Sequence, residues 1–189
     1  MHTLHQALQR ICPLTPEAWT ALAALAKPRP MQAGQHLLRA GTKATNIFFL
    51  NSGLLREYYV DGNGQEATRR FCGVGEFSGS LADLLSKGPA EVSIEVLADG
   101  GILEMEWSAV DALSLQHGSL MQLMRRFAEG LYIQKMHREF EMLTLPAAQR
   151  YQRFADSYPA LNAQLPRHMV ASYLGITPVH LSRIGAAQK

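Results

Sequence analysis

Long apolar runs are missing from this sequence. No stretch reaches the about 18 consecutive apolar residues that a membrane-spanning helix needs. The opening residues, MHTLHQALQRICPL, lack the basic start, apolar centre and small-residue cleavage site of a secretory signal. We therefore expect no membrane partner and a cytoplasmic location.

Cysteine is also scarce. The 189 residues include two cysteines, Cys12 and Cys72, which are too few and too far apart for a disulfide framework. We interpret both as buried free thiols. Hydrophobic residues make up 47% of the chain and charged residues 18%, a balance that is typical of a globular protein and excludes a disordered one. At this length we expect one medium-sized domain with a small companion.

Catalytic signatures are absent as well. The sequence contains no nucleophile elbow, phosphate-binding loop, His-Glu-x-x-His pair or metal-ligand spacing. His137 and Glu141 lie four residues apart in a helical segment, but this spacing is typical of a solvated contact. We therefore expect neither an enzyme nor a metal site.

The net charge of +2 conceals an uneven distribution. Residues 1–119 carry nine Lys and Arg against twelve Asp and Glu, whereas residues 120–189 carry nine against four. A basic C-terminal portion attached to a mildly acidic body is typical of an appendage that binds a polyanion.

The spacing of apolar residues and glycines divides the chain into a helical start and a β-rich middle. Residues 3–26 have helical spacing, with Thr15 as an N-cap, and predict two short helices. From Lys27 onward, glycine and proline separate short alternating segments, as in a β-sandwich or barrel. Glycines also predict strand breaks around Gly53 and a turn at Asp99-Gly100-Gly101.

A long helical stripe of apolar residues follows the β-rich region. It extends over about 24 residues, or on the order of 36 Å at the helical rise. The stripe packs either on its own β-domain alone, or also against the same helix of a second copy of the chain across a two-fold axis. A small domain would scarcely cover so long a helix, which favours the dimer interpretation. The predicted dimer contacts are Leu120, Leu123, Phe127, Leu131 and Met136.

Residues 166–184 carry the most specific pattern, that of a helix-turn-helix. Ala171 supplies a small contact between helices, Gly175 tolerates positive φ in the turn, and Thr177 is an N-cap for the second helix. Apolar anchors surround both helices. The outward side chains form what we call the DNA-reading set: Thr177, Pro178, Val179, His180, Ser182 and Arg183. Arg167 is a predicted phosphate contact.

Taken together, these features resemble the Crp/Fnr superfamily over essentially the whole chain. The resemblance rests on the element order, on Gly75-Glu76-Phe77-Ser78-Gly79 in the β-region, and on the run from Val170 to Ile184. It implies an α+β fold whose N-terminal double-stranded β-helix is a cyclic nucleotide-binding-like jelly roll with flanking helices. The implied domains are the roll (1–118), a dimerisation helix (119–144) and a truncated, winged-helix-like helix-turn-helix (145–189). It further implies a homodimer in which effector binding repositions the long helices and the DNA-reading helices.

The effector is a separate question. In relatives that bind cyclic AMP, a glutamate holds the ribose and an arginine holds the phosphate, whereas Ser80 and Val92 occupy these positions here. A buried phosphate without a paired cation is heavily penalised, so we expect no cyclic AMP binding by this grip and no resident cofactor. Cys12 alone does not match an iron–sulfur cluster of the Fnr type, and His36 is either structural or a haem ligand. The predicted effector pocket is rather apolar: Phe71, Gly75, Glu76, Phe77, Gly79, Ser80, Val92 and Ser93.

We therefore predict a DNA-binding transcription regulator of the Crp/Fnr type. Its expected partners are double-stranded DNA and a second copy of the chain, with a small-molecule effector and RNA polymerase as further candidates. The alternative is a small-ligand sensor or protein-interaction module without DNA binding. The missing pocket arginine and the few residues after Ile184 favour that alternative.

Overall fold

A computed structural model of the chain describes residues 2–187. Along the chain, helices come before and after the strands of one antiparallel sheet. The helices are α1 (His2–Ile11), α2 (Pro16–Leu25), α3 (Leu81–Ser86), α4 (Trp107–Ser114), α5 (Gly118–Thr144), α6 (Ala147–Ser157), α7 (Pro159–Gln164), α8 (Arg167–Leu174) and α9 (Pro178–Ala187). The strands are β1 (Lys27–Met31), β2 (His36–Leu38), β3 (Asn46–Val60), β4 (Glu66–Cys72), β5 (Phe77–Ser78) and β6 (Val92–Glu106).

The two N-terminal helices form where the sequence predicts them. Thr15 caps α2, since its Oγ1 accepts a hydrogen bond from the amide of Ala18 at 3.3 Å. The apolar faces of α1 and α2 bury Leu4, Leu8 and Leu22 in a cluster shared with β3, β6, α4 and the first turns of α5. This cluster covers one outer side of the sheet.

The strands form an antiparallel roll with its own interior. Their order is β1-β6-β3-β4, with β2 paired to β6 and β5 paired to β3. Strand β3 sends Leu50 and Leu55 into the interior, and β6 sends Val92, Ile94 and Val96, each at most 1% exposed. The predicted α+β jelly roll with a long helix and C-terminal helices is confirmed.

Strands β3 and β6 are longer than the glycines suggested. The predicted breaks are wrong, because β3 runs unbroken past Gly53 and β6 runs unbroken past Gly100. The two backbones pass so closely here that a Cβ on Gly100 would overlap the carbonyl oxygen of Ser52. A Cβ on Gly53 would lie 2.7 Å from the carbonyl oxygen of Ala98. These glycines therefore permit close backbone approach at a register shift and do not form a turn.

Helix α5 has two halves in different surroundings. Leu120 and Leu123, in the first half, are buried against the N-terminal helices and the roll. The prediction that these two residues contact a second copy is therefore wrong, because elements of the same chain already cover that side. Phe127 and Leu131 are half-buried, with the Phe127 ring centroid 5.3 Å from that of Phe77. Met136, in the second half, is exposed.

Helices α6, α8 and α9 share a small core of their own. It contains Tyr151 and Phe154 of α6, and it continues onto the roll through Leu54 and Phe71. Within residues 145–187 the structure has helices and no strand.

The two cysteines are unbonded and buried, as the sequence predicts. Burial raises the pKa of the Cys72 thiol to about 12. In the part of the chain that the structure describes, no helix has both the length and the apolarity that crossing a bilayer requires.

Candidate nucleic-acid interface

Helices α8 and α9 meet at a tight turn formed by Gly175. Its φ of +67° is left-handed, and its amide donates to carbonyls in the last turn of α8. The next amide, that of Ile176, bonds the carbonyl oxygen of Ala171 at 3.0 Å, which closes the turn in the manner of a glycine C-cap. Thr177 then starts α9, because its Oγ1 accepts from the amide of His180 at 3.2 Å.

The inner faces of both helices are fully packed. Val170, Ala171 and Leu174 of α8 and Leu181 of α9 have no exposed surface, and Ile184 is buried beside them. Because these anchors face α6 and each other, the opposite face of α9 points away from the protein. The orientation of α9 is therefore fixed by burial of its apolar side.

The whole DNA-reading set lies on the exposed side of α9 and its preceding turn. All six of its residues are exposed, with Val179 62% exposed. Within residues 2–187, His180 and Arg183 have no ion-pair partner. This surface offers a cation, hydroxyls, an imidazole and small apolar groups side by side, which are the groups that read base edges in a major groove.

Arg167 has a structural role that the sequence did not show. Its guanidinium donates to the Tyr151 hydroxyl at 3.3 Å and to the Leu181 carbonyl oxygen at 3.5 Å, and it lies 5.6 Å from the Tyr151 ring centroid. The hydrogen bond from Arg167, with a weaker one from Asn162, lowers the pKa of Tyr151. Arg167 therefore ties α8 to α6 and α9, and its exposed surface leaves room for a phosphate contact as well.

Other cations of the basic C-terminal portion are also used within the fold. Arg138 donates to the carbonyl oxygen of Tyr173, and Arg150 donates to that of Leu174 at 3.2 Å. Both carbonyls belong to the last turn of α8, where positive charge is favoured by the helix dipole. Arg153 pairs with a glutamate of α5 at 2.9 Å. Part of the predicted polyanion-binding charge therefore stabilises the fold.

The predicted effector-pocket residues do not gather around one cavity. Val92 fills the roll interior, Phe71 packs with Phe154 and Tyr173 outside it, and Phe77 makes an edge-to-face contact with Phe49 at a ring-centroid distance of 5.0 Å. The three residues belong to three strands, β6, β4 and β5, and their side chains enter three different clusters. The pocket predicted from these eight positions is therefore not formed as a single site.

The remaining pocket residues have local roles. The carboxylate of Glu76 accepts from the amide of Gly73 at 2.9 Å, and Ser93 Oγ accepts from the amide of Ala40 at 3.0 Å. Ser80 is buried and precedes α3. Gly75 and Gly79 have positive φ, as the tight connections around β5 require.

An open cavity lies at another place on the roll. It has a volume of about 200 Å³ and lies between β2 and the start of β3. His36, Arg39, Lys43 and Asn46 contribute its polar groups, and Phe48 lies at its apolar side. Sequence reasoning did not single out this cavity, because its residues come from a turn whose folding brings two strand ends together.

Comparison with known proteins adds an independent line of evidence. A family model described as the cyclic nucleotide-binding domain matches residues 28–117. The fumarate and nitrate reduction regulatory protein of Escherichia coli is 26% identical over 176 residues, covering 86% of this chain and 69% of that protein. The anaerobic regulatory protein of Aggregatibacter actinomycetemcomitans is 25% identical over 175 residues, covering 86% and 67%.

Solved structures share the fold. The catabolite activator protein of Thermus thermophilus superimposes with a TM-score of 0.59 at 22% identity, covering 92% of this chain and 83% of that chain. The c-di-GMP responsive global regulator CLP of Xanthomonas campestris superimposes with a TM-score of 0.70 at 15% identity, covering 92% and 91%.

The chain thus combines a cyclic nucleotide-binding domain, a long helix and an exposed helix-turn-helix. The matched domain and the regulatory relatives support a Crp/Fnr-type transcription regulator, and the solved structures share its fold.

Proposed function

We propose that this regulator binds double-stranded DNA as a homodimer, with α9 of each copy in a major groove. The observation that carries the proposal is the division of α9 into two faces. Leu181 and Ile184 are buried beneath it, while the DNA-reading set is exposed above it. A short helix held in this way by its apolar side can enter a groove without any loss of packing.

The second half of α5 supplies a surface for the second copy. Its exposed large apolar side chains in the single chain are Tyr132, Ile133, Met136, Phe140, Met142 and Leu143. Four of them, from Ile133 to Leu143, are spaced by three, four and three residues, which places them on one stripe of the helix. Burying this stripe against its twin across a two-fold axis would remove the apolar surface from water. Of the contacts predicted from the sequence, Met136 belongs to this stripe.

The filled interior of the roll supports the expectation that cyclic AMP is not held by the usual grip. Val92 is 1% exposed among apolar neighbours at the position where relatives place an arginine. Without an arginine at this position, a cyclic phosphate in the roll would have no cation to pair with. A small-molecule effector and RNA polymerase remain predicted partners. A thermal-shift screen tests the effector, because a molecule that binds the folded chain raises its melting temperature.

DNA binding is tested by fluorescence anisotropy against a library of genomic fragments at two salt concentrations. We expect some fragments to bind tightly, with the logarithm of the affinity falling by about 0.9 per contacted phosphate for each unit of log salt. Binding of no fragment, with and without metabolite extract, would contradict the proposal.

The Arg183→Ala substitution tests whether Arg183 contacts a particular base or only adds positive charge to the protein. We expect it to weaken specific binding by about 1–3 kcal/mol and to relax the preference at one base position. The matched control is Arg10→Ala, which removes one exposed arginine from α1, far along the chain from the DNA-reading set. Equal losses in the two variants would remove Arg183 from the reading surface.

A further inference from the structure

Strand β4 is an outer strand of the sheet, and helix α8 lies against its free edge. Strand β4 pairs with β3 on one side and with no strand on the other within residues 2–187. The amide of Thr68 and the carbonyl of Glu66 face this free edge. The hydroxyl of Ser172 in α8 satisfies both, accepting from the Thr68 amide at 2.8 Å and donating to the Glu66 carbonyl oxygen at 2.9 Å. One side chain thus takes the place of a neighbouring strand at this point.

The same two residues of β4 are also held by Arg56, a buried arginine of the neighbouring strand β3. Arg56 is 2% exposed, and its Nε donates to Thr68 Oγ1 at 2.9 Å. Its terminal nitrogen lies 2.6 Å from the Glu66 carboxylate and 3.4 Å from that of Glu95. A buried guanidinium with these bonds has little freedom, so the backbone that Ser172 contacts is fixed in position.

Helix α8 is also held on the side that faces the other helices. The Tyr173 ring packs at a tilt against those of Phe71 in β4 and Phe154 in α6, at centroid distances of 5.7 and 5.2 Å. Arg138 of α5 lies 4.1 Å above the Tyr173 ring and donates to the Tyr173 carbonyl. Helix α8 is therefore in contact with the roll and the long helix at one place, two residues before the turn to α9.

The DNA-reading set is exposed while α8 is docked in this way. The docked arrangement therefore presents α9 and does not conceal it. In a dimer, the two α9 helices must match successive major grooves about 34 Å apart, so each must be held in a defined direction.

We propose that Ser172 is a positioning residue for DNA reading. Its hydroxyl fixes α8 on the free edge of β4 and thereby sets the direction in which α9 is presented, with Arg56 holding the β4 side of the contact. This inference rests on the proposed function. It adds a route by which a change in the roll at Arg56, Glu66 or Thr68 reaches the reading helix.

The test uses the full chain and three variants. The Ser172→Ala substitution removes the hydroxyl group, and Ser172→Thr retains a hydroxyl group at the same position. The matched control is Ser108→Ala, which removes a hydroxyl group that donates to Glu106 on the protein surface. Hydrogen exchange at the Thr68 amide reports the contact without DNA. Anisotropy against a bound fragment reports DNA affinity.

We expect Ser172→Ala to speed exchange at Thr68 and to weaken DNA binding, each by about tenfold, the effect of losing one or two hydrogen bonds. Ser172→Thr should restore both values towards those of the unsubstituted chain, and Ser108→Ala should change neither. Unchanged exchange in Ser172→Ala would overturn the contact. Faster exchange with unchanged affinity would overturn the positioning role.

The same experiment distinguishes this inference from the function on which it rests. If the unsubstituted chain binds no fragment, the proposed function fails and the DNA-reading role of Ser172 fails with it. Exchange at Thr68 still shows whether the contact exists, because that measurement requires no DNA.

Discussion

Gly175 forms the left-handed turn that joins α8 to α9. Its φ of +67° costs a residue with a side chain about 1–2 kcal/mol. A Cβ at this position would also lie 2.5 Å from Cε of Met142 in α5, so that the methionine must move. Because Cε is the flexible end of a partly exposed side chain, turning it away costs only about 0.5–1.5 kcal/mol. We therefore expect Gly175→Ala to lower the free energy of unfolding by about 1.5–3.5 kcal/mol.

Two further variants separate backbone strain from steric overlap. Gly64 lies in the turn between β3 and β4 with a φ of +78°, and no atom lies within 4 Å of the place that an added methyl group would take, so Gly64→Ala reports strain alone. Met142→Ala removes the overlapping methyl, so in that background Gly175→Ala should cost only about 1–2 kcal/mol. Urea unfolding followed by circular dichroism gives all these values.

The double-mutant comparison can refute the reasoning in two ways. Equal costs of Gly175→Ala with and without Met142 would show that the overlap contributes nothing. A cost no greater than about 0.5 kcal/mol would show that the turn does not require a left-handed residue.

Three more predictions follow from burial and exposure. Leu181→Ala should lower the free energy of unfolding by about 2–5 kcal/mol, whereas Val179→Ala on the exposed side of α9 should change it by less than about 0.5 kcal/mol; similar urea midpoints would contradict this. Because burial raises the pKa of Cys72 from 9.0 to about 12, its thiol stays protonated in the folded chain, and alkylation at pH 8 should require unfolding. The contribution of the buried, protonated Cys72 thiol to the free energy of unfolding is complete below pH 9.0. It is lost as the pH rises towards about 12, and urea unfolding across that range would detect the loss. Phe140→Glu should shift the chain from dimer to monomer in sedimentation, and an unchanged dimer would place the interface elsewhere.

The helix-turn-helix could be predicted from the sequence because its determinants are local. A cap at Thr177, a left-handed turn at Gly175 and apolar anchors at helical spacing all act within about twenty residues. The structure places each of these residues in the expected local conformation. Capping, turn formation and helical spacing depend on residues within one or two turns of each other, so they can be predicted without knowledge of the tertiary structure.

The partners of the charged residues could not be predicted in the same way. The charge count of residues 120–189 includes Arg138 and Arg150, which cap the last turn of α8, and Arg167, which ties three helices together. A carbonyl acceptor leaves no mark in the sequence, since every residue has one. Only the folded chain shows which cations stay available to a nucleic acid.

The sequence by itself determined the order of the elements: short helices, a glycine-punctuated β-rich region, a long helix and a helix-turn-helix. Periodicity, capping and turn residues predict these elements, whereas the Crp/Fnr type was implied by the resemblance to that family. Tertiary structure alone decided that β3 and β6 continue through their glycines, that Leu120 faces the chain's own core, and that Phe71 and Val92 lie in different clusters. It also decided that Ser172 meets the edge of β4. These features depend on contacts between residues far apart in the chain, and the alternation or spacing of a single segment does not reveal which surface its two faces will meet.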